Sequence, residues 1–232
     1  MNLITQITQL PVIDYAAVLF LIASWALISW RIEHPSMGRP SVSMLMAERR
    51  REWMKVFVGR VPRIFDSQIL ASLRQGTAFF ASTSLFAIGG ILAMMGNTEP
   101  LRDVAEQFTN AKTPLLVWQL KLGLVALLLV NAFLKFVWAS RVFGYCAVLM
   151  GSVPNEPDDP MAFPRAAQAA ELNVRAALNF NRGLRSLYFA LGALAWLIGG
   201  IALIVATCIV IWVVWSREFA SLPRTIILGE TE

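Results

Sequence analysis

Histidine and cysteine are almost missing from these 232 residues, which hold one histidine, His34, and two cysteines, Cys146 and Cys208. So few imidazoles and thiols leave a haem, zinc or copper site without a ligand set. The apolar stretches carry no acid pair for a carboxylate-bound metal either, so neither a metal nor another cofactor is expected. Charged residues are scarce, at 15% of the chain. No P-loop, GxSxG elbow or dinucleotide fingerprint occurs. His34 lies beside Pro35 with no evident partner, so no catalytic constellation forms and a non-enzymatic protein is expected. The cysteines lack CxxC spacing, and the topology below sets them at opposite membrane ends, which argues against an intrachain disulfide. The N-terminus has neither a basic n-region nor an obvious cleavage site, so the first apolar stretch reads as retained.

Apolar residues, in contrast, make up 57% of the chain. The stretch 186–216 runs 31 residues without a charged side chain, and about twenty apolar residues suffice to cross a bilayer as a helix. Four spans are expected, at about 13–30, 77–95, 114–138 and 187–215. The fold class is therefore all-α: a polytopic membrane protein of four transmembrane helices in one membrane domain. Lys and Arg number nine in the first connection and five in the third, against none before span 1, two in the second connection and two in the tail. The positive-inside rule then places connections one and three in the cytoplasm and both termini in the periplasm of a bacterial inner membrane. A net charge of +5 invites a nucleic-acid reading. The basic residues flank apolar spans and form no nucleic-acid module, so anionic lipid headgroups are the expected partner instead.

Helices are expected to outrun the bilayer, forming cytoplasmic helical regions at about 43–76 and 139–186. No proline interrupts 115–150, and breakers then cluster from Gly151 to Pro160. An Ala-rich stretch, 166–178, leads into span 4. The segment 43–58 reads as an amphipathic helix whose apolar side carries Met46, Trp53, Met54 and Phe57. In span 4, Gly192, Ala195, Gly199, Ala202 and Ala206 recur at 3-4-3-4 spacing and predict a packing seam on one helix face. That seam serves either the intramolecular bundle or a subunit interface.

Three polar residues in span 3, Lys121, Asn131 and Lys135, share one side of the helix. A charge at the bilayer centre costs about 2.5–3.5 kcal/mol on insertion scales. They line a polar path, or else the lysines snorkel to opposite surfaces while Asn131 bonds across helices. Arg175, Arg182 and Arg185 lie on one side of the helix entering span 4. With Arg49 to Arg51, and with Asp66 and Gln68 before span 2, they outline a cytoplasmic basic or ion-pair site. As topology determinants they need no ligand.

Several segments carry a resemblance: Trp53-Met54 after Arg49-Arg50-Arg51, then Phe65-Asp66-Ser67-Gln68-Ile69-Leu70, Phe79-Phe80-Ala81-Ser82-Thr83 and Phe180-Asn181-Arg182-Gly183-Leu184-Arg185-Ser186-Leu187-Tyr188-Phe189. The chain resembles, over roughly 14–215, the membrane proteins grouped as domain of unknown function 599. The resemblance implies a four-span bacterial or plant membrane protein and brings no established activity. It directs attention to Asp66, Gln68, Ser82, Thr83, Arg182, Arg185 and Tyr188. The expected role is an oligomeric, channel-like or transport protein for small solutes or anions. The alternative is an accessory or assembly subunit of a larger membrane complex. A lipid-modifying enzyme is a weaker third reading, because it lacks an acid–base pair.

Overall fold

The structure is a computed structural model and describes residues 10–34, 39–97 and 114–229. The described residues form seven α-helices: α1 (Val12–Glu33), α2 (Val42–Val58), α3 (Ile64–Gly96), α4 (Leu115–Gly151), α5 (Ala162–Ala193), α6 (Gly200–Phe219) and α7 (Leu222–Leu228). A 3-10 turn, Leu194–Leu197, joins α5 to α6. No strand occurs among the described residues. Four helical stretches are long and apolar enough to cross a membrane: Val12–Glu33, Ile64–Gly96, Leu115–Gly151 and Gly200–Leu228. The chain is an all-α polytopic membrane protein, as its apolar runs require. At about 1.5 Å per residue, the 37 residues of α4 reach about 55 Å, well beyond a hydrocarbon core of about 30 Å.

Packing divides the chain into two units. The first comprises Met1–Arg31, Ser84–Ala132 and Leu184–Arg217. Its buried side chains include Leu21 of α1, Ile88 of α3, Leu122 and Val125 of α4, Phe189 of α5 and Leu203 of α6. Here the expectation for span 4 needs correcting. The stretch 187–215 is not one helix, because α5 ends at Ala193, tightens into the 3-10 turn and gives way to α6 at Gly200. Gly199 has φ +156°, a conformation that L side chains rarely adopt. Two consecutive glycines carry the weakest helix propensity short of proline and so permit the break, although Gly89-Gly90 stay helical within α3.

The two limbs then run antiparallel. The Arg217 guanidinium on α6 donates to the Tyr188 hydroxyl on α5 at 2.5 Å. Further along, a Cβ added at Gly192 would stand 3.1 Å from Val210 Cγ2 and 3.9 Å from the Ala206 carbonyl oxygen. The small-residue seam is thereby split. Gly192 lies on one limb and Ala202 and Ala206 on the other, while Ala195 and Gly199 fall in the turn. At the turn Gly200 meets Asp14, the acid in the first turn of α1. A Cβ at Gly200 would collide with Asp14 Oδ1 and stand 3.2 Å from that residue's backbone nitrogen.

The second unit comprises Ile32–Thr83, Phe133–Gly183 and Glu218–Glu232. Ser41 opens α2 by accepting from the Met44 N–H at 3.3 Å, the usual N-cap device, while its hydroxyl donates to the Ile32 carbonyl at 2.8 Å. On the amphipathic α2, Met54 and Phe57 enter a core with Leu70 of α3 and Phe143 and Cys146 of α4. The Ala-rich part of α5 closes on the same core, which contains Ala166, Ala169, Ala170 and Ala176. The approach is close enough for Cys146 Sγ to donate to the Ala169 carbonyl at 3.3 Å. Phe80, Phe136 and Phe180 stack with ring centroids 5.5–5.6 Å apart.

The C-terminal residues belong to this unit and lie on the first connection. Glu218 accepts from the Ser43 N–H at 3.0 Å and from its hydroxyl at 2.8 Å. Arg224 donates to the Pro40 carbonyl at 3.2 Å, and α7 packs against α2. Against the expectation of both termini away from the first connection, the described C-terminal residues pack beside it. The cause is the broken fourth span, which sends α6 back in the direction α5 came from.

Candidate functional site

In the first unit, Lys121 of α4 is only 7% exposed. Its ammonium stands 5.4 Å from the Trp118 ring centroid and 5.8 Å from that of Trp196 in the 3-10 turn, within the range of cation–π attraction. Asp14, 5% exposed, lies with Trp196 in the lining of the adjoining cavity. The indole N–H groups of Trp118 and Trp196 are buried and have no hydrogen-bond acceptor among the described residues. Lys121 therefore sits in an aromatic cage, where a lone intramembrane cation would be costly.

Next to this cage is a cavity of about 830 Å³, within the range of ligand-sized pockets. Its walls are mostly apolar, including Leu19 of α1, Leu92 and Met95 of α3, and Leu120 and Leu127 of α4. Asp14 and Trp196 lie on its edge, joining it to the surroundings of Lys121. Gly123 also faces it, and a Cβ there would meet nothing within 4 Å.

The other two members of the expected polar path are placed differently. Asn131 donates to the Ser186 hydroxyl at 2.6 Å, the cross-helix bond weighed for it in the sequence. Lys135 is half-buried and belongs to the second unit's part of α4. Lys121, Asn131 and Lys135 do not line the apolar cavity. Arg185, 3% exposed, donates to the Ser29 hydroxyl of α1 at 3.2 Å, also in the first unit.

Asp66 in the second unit is fully buried in the first turn of α3, where the helix dipole favours an anion. Its Oδ1 accepts from the Trp53 indole at 2.6 Å and from Arg60 at 2.5 Å. Its Oδ2 has no partner among the described residues. The expected pairing of Asp66 and Gln68 with Arg175, Arg182 and Arg185 is therefore corrected: Asp66 is taken by Arg60, six residues before it, and Gln68 is exposed. Arg175 is exposed and Arg182 pairs with Glu33 at the end of α1. Arg182 and Arg185, three residues apart on α5, are taken up separately, by Glu33 and by the Ser29 hydroxyl.

Polar contacts bind the elements of the second unit together. Arg50 donates to Asn173, whose amide reaches Cys146 Sγ at 3.7 Å. Burial pushes the Arg50 guanidinium below its ordinary value, yet it remains a cation at any physiological pH. Arg51 donates to Glu171 at 2.6 Å, and this hydrogen bond holds the Glu171 carboxyl below the usual carboxylate range. Asn181 of α5 donates to the Ser43 hydroxyl at 3.0 Å, joining α5 to the contact between Ser43 and Glu218.

Sequence reasoning missed Asp14, Trp118, Trp196, Glu33 and Glu218. One signal was present: Asp14, Glu33 and Glu218 are acids at the ends of apolar stretches, where a nearby cation needs a partner. The tryptophans gave none, because an aromatic at a span end reads as an interfacial anchor. No match was found among curated proteins or solved structures. A family model described as protein of unknown function, DUF599, matches residues 16–223, which take in parts of both units and leave Asp14 just outside the match. The chain belongs to the DUF599 family of proteins of unknown function.

Proposed function

We propose that this protein is a non-enzymatic component of a bacterial inner membrane that binds, and passes on or transports, amphiphilic molecules carrying an anionic group. The carrying observation is the apolar cavity of about 830 Å³ beside the caged Lys121. Leucine-lined walls disfavour a hydrated ion path and accept an acyl chain, while Lys121 and two unpartnered indole N–H groups favour an acceptor at one end. The channel-like reading for small solutes is thereby narrowed to lipid-like ones.

The same proposal fixes orientation. With the tail against the first connection, Arg217 and Arg224 join the arginine-rich side, leaving only Arg102 and Lys112 in the connection opposite. The cytoplasm then holds connections one and three and the C-terminal residues, and the N-terminal side is periplasmic. The apolar end of α5, which is not among the four stretches long and apolar enough to cross by themselves, then enters the bilayer beside α6 and carries the chain to the turn beside Asp14. Anionic headgroups cover the arginines.

Purification in mild detergent followed by native mass measurement and solvent extraction tests this reading. The wild-type chain is expected to retain an amphiphile that Gly123→Leu, which fills the cavity, releases without unfolding. A wild-type particle free of amphiphile would overturn it. The rival reading, an accessory subunit or a homo-oligomer, rests on outward apolar side chains such as Phe86 and Trp212, which are 82% and 69% exposed. The same mass measurement would reveal unrelated subunits or further copies of the chain.

A further inference from the structure

The second unit holds its own cavity, of about 320 Å³, built from different residues. On α3, Ser67 and Arg74 face it at helical spacing, one turn to either side of Leu70. Phe57 at the end of α2 and Met150 at the end of α4 complete the apolar part, and Arg63 and Asn155 complete the polar part. No carboxylate lines it among the described residues.

The two arginines differ in what they offer. Arg63 is locked: its Nη1 donates to the Val153 carbonyl at 2.8 Å, and its Nη2 donates to those of Val58 at 3.0 Å and Pro154 at 2.7 Å. Its guanidinium also stacks 4.5 Å over the Phe57 ring. It thus holds a fixed positive charge beside the cavity, balanced by carbonyl dipoles and a ring but by no acid among the described residues. Arg74 is exposed and has no ion-pair partner among the described residues, so its donors are available. An anion entering here meets one fixed charge, one available guanidinium and an amide, with apolar surface behind them; the Ser67 hydroxyl is already spent on the Ile64 carbonyl, to which it donates at 2.7 Å.

We propose that this cavity is a phosphate-type anion site, with Arg74 as the direct ligand and Arg63 as the fixed charge that biases the cavity toward anions. It stands independently of the amphiphile cavity in the first unit. Guanidinium–phosphate contacts are charge-assisted and geometrically selective, and the apolar wall suits the glycerol and first methylenes of a lipid headgroup. The same chemistry also accepts a free phosphate.

The test measures thermal unfolding of the full chain in non-ionic detergent against dihexanoyl phosphatidic acid, dihexanoyl phosphatidylcholine and inorganic phosphate. Phosphatidic acid is expected to raise the melting temperature with saturation and phosphatidylcholine is not. Arg74→Gln should weaken the apparent affinity about tenfold, the loss of one charge-assisted contact. Lys55→Gln, another exposed cation of the first connection, should leave it unchanged. Saturation by inorganic phosphate to the same extent, again lost in Arg74→Gln, identifies a free anion as the occupant. Saturation by phosphatidic acid alone identifies a headgroup. Equal weakening by both substitutions, or no anion-dependent shift at all, overturns the site. Arg63→Gln would free three carbonyls and risks unfolding, so the Arg74 substitution carries the test.

Discussion

Asp66 and Glu171 show how burial decides the worth of an ion pair. Both carboxylates receive an arginine within 2.6 Å, but Asp66 is fully buried and Glu171 about half exposed. Removing one partner of a buried pair strands the other, whereas an exposed pair contributes less than about 1 kcal/mol. Arg60 keeps 32% of its side chain exposed, which softens the loss, so Asp66→Asn should cost about 2 kcal/mol in thermal unfolding. Glu171→Gln should shift the melting temperature far less. Its effect has a sign: the lowered carboxyl favours the folded state above the ordinary carboxylate range and loses that advantage as the pH falls through the lowered value. A melting curve against pH should therefore be slightly flatter on its acid side in Glu171→Gln. Little of this was legible in the chain. Asp66 drew attention as an acid before an apolar run, but its partner was set by the turn between α2 and α3, which periodicity does not describe.

Elements follow from apolar length, and that part of the fold was readable. The four crossing stretches, the continuation of α4 to Gly151 and the amphipathic side of α2 are all written in residue spacing. The break in the last span was not, because Gly199-Gly200 in an uncharged run reads equally as a packing surface or as a turn. What distinguishes the two is Asp14, nearly two hundred residues earlier, lying where a Gly200 side chain would sit. Gly200→Ala should therefore cost about 1–3 kcal/mol, the range for overpacking a filled site. Gly90→Ala, with nothing within 4 Å of its added Cβ and a helical backbone, should be neutral or stabilise by up to about 1 kcal/mol. Thermal melts of the two variants side by side give the comparison. Gly183 belongs with Gly200, since a Cβ there would stand 2.6 Å from the Phe136 ring, which Phe80 and Phe180 hold in place.

At the scale of the molecule, the contact between the tail and the first connection predicts one compartment for both. Single cysteines at Glu48 and Leu222, in a Cys208→Ser chain, should be labelled by a membrane-impermeant maleimide from the same side. One at Val104 should be labelled from the other. Labelling of Leu222 together with Val104 would refute the contact between Ser43 and Glu218. Those two residues stand 175 positions apart. The ribosome must reach Glu218 before α2 finds this hydrogen-bond partner, so a loop made early is completed late, and a product stalled before α6 leaves the Ser43 backbone amide without the carboxylate that caps it.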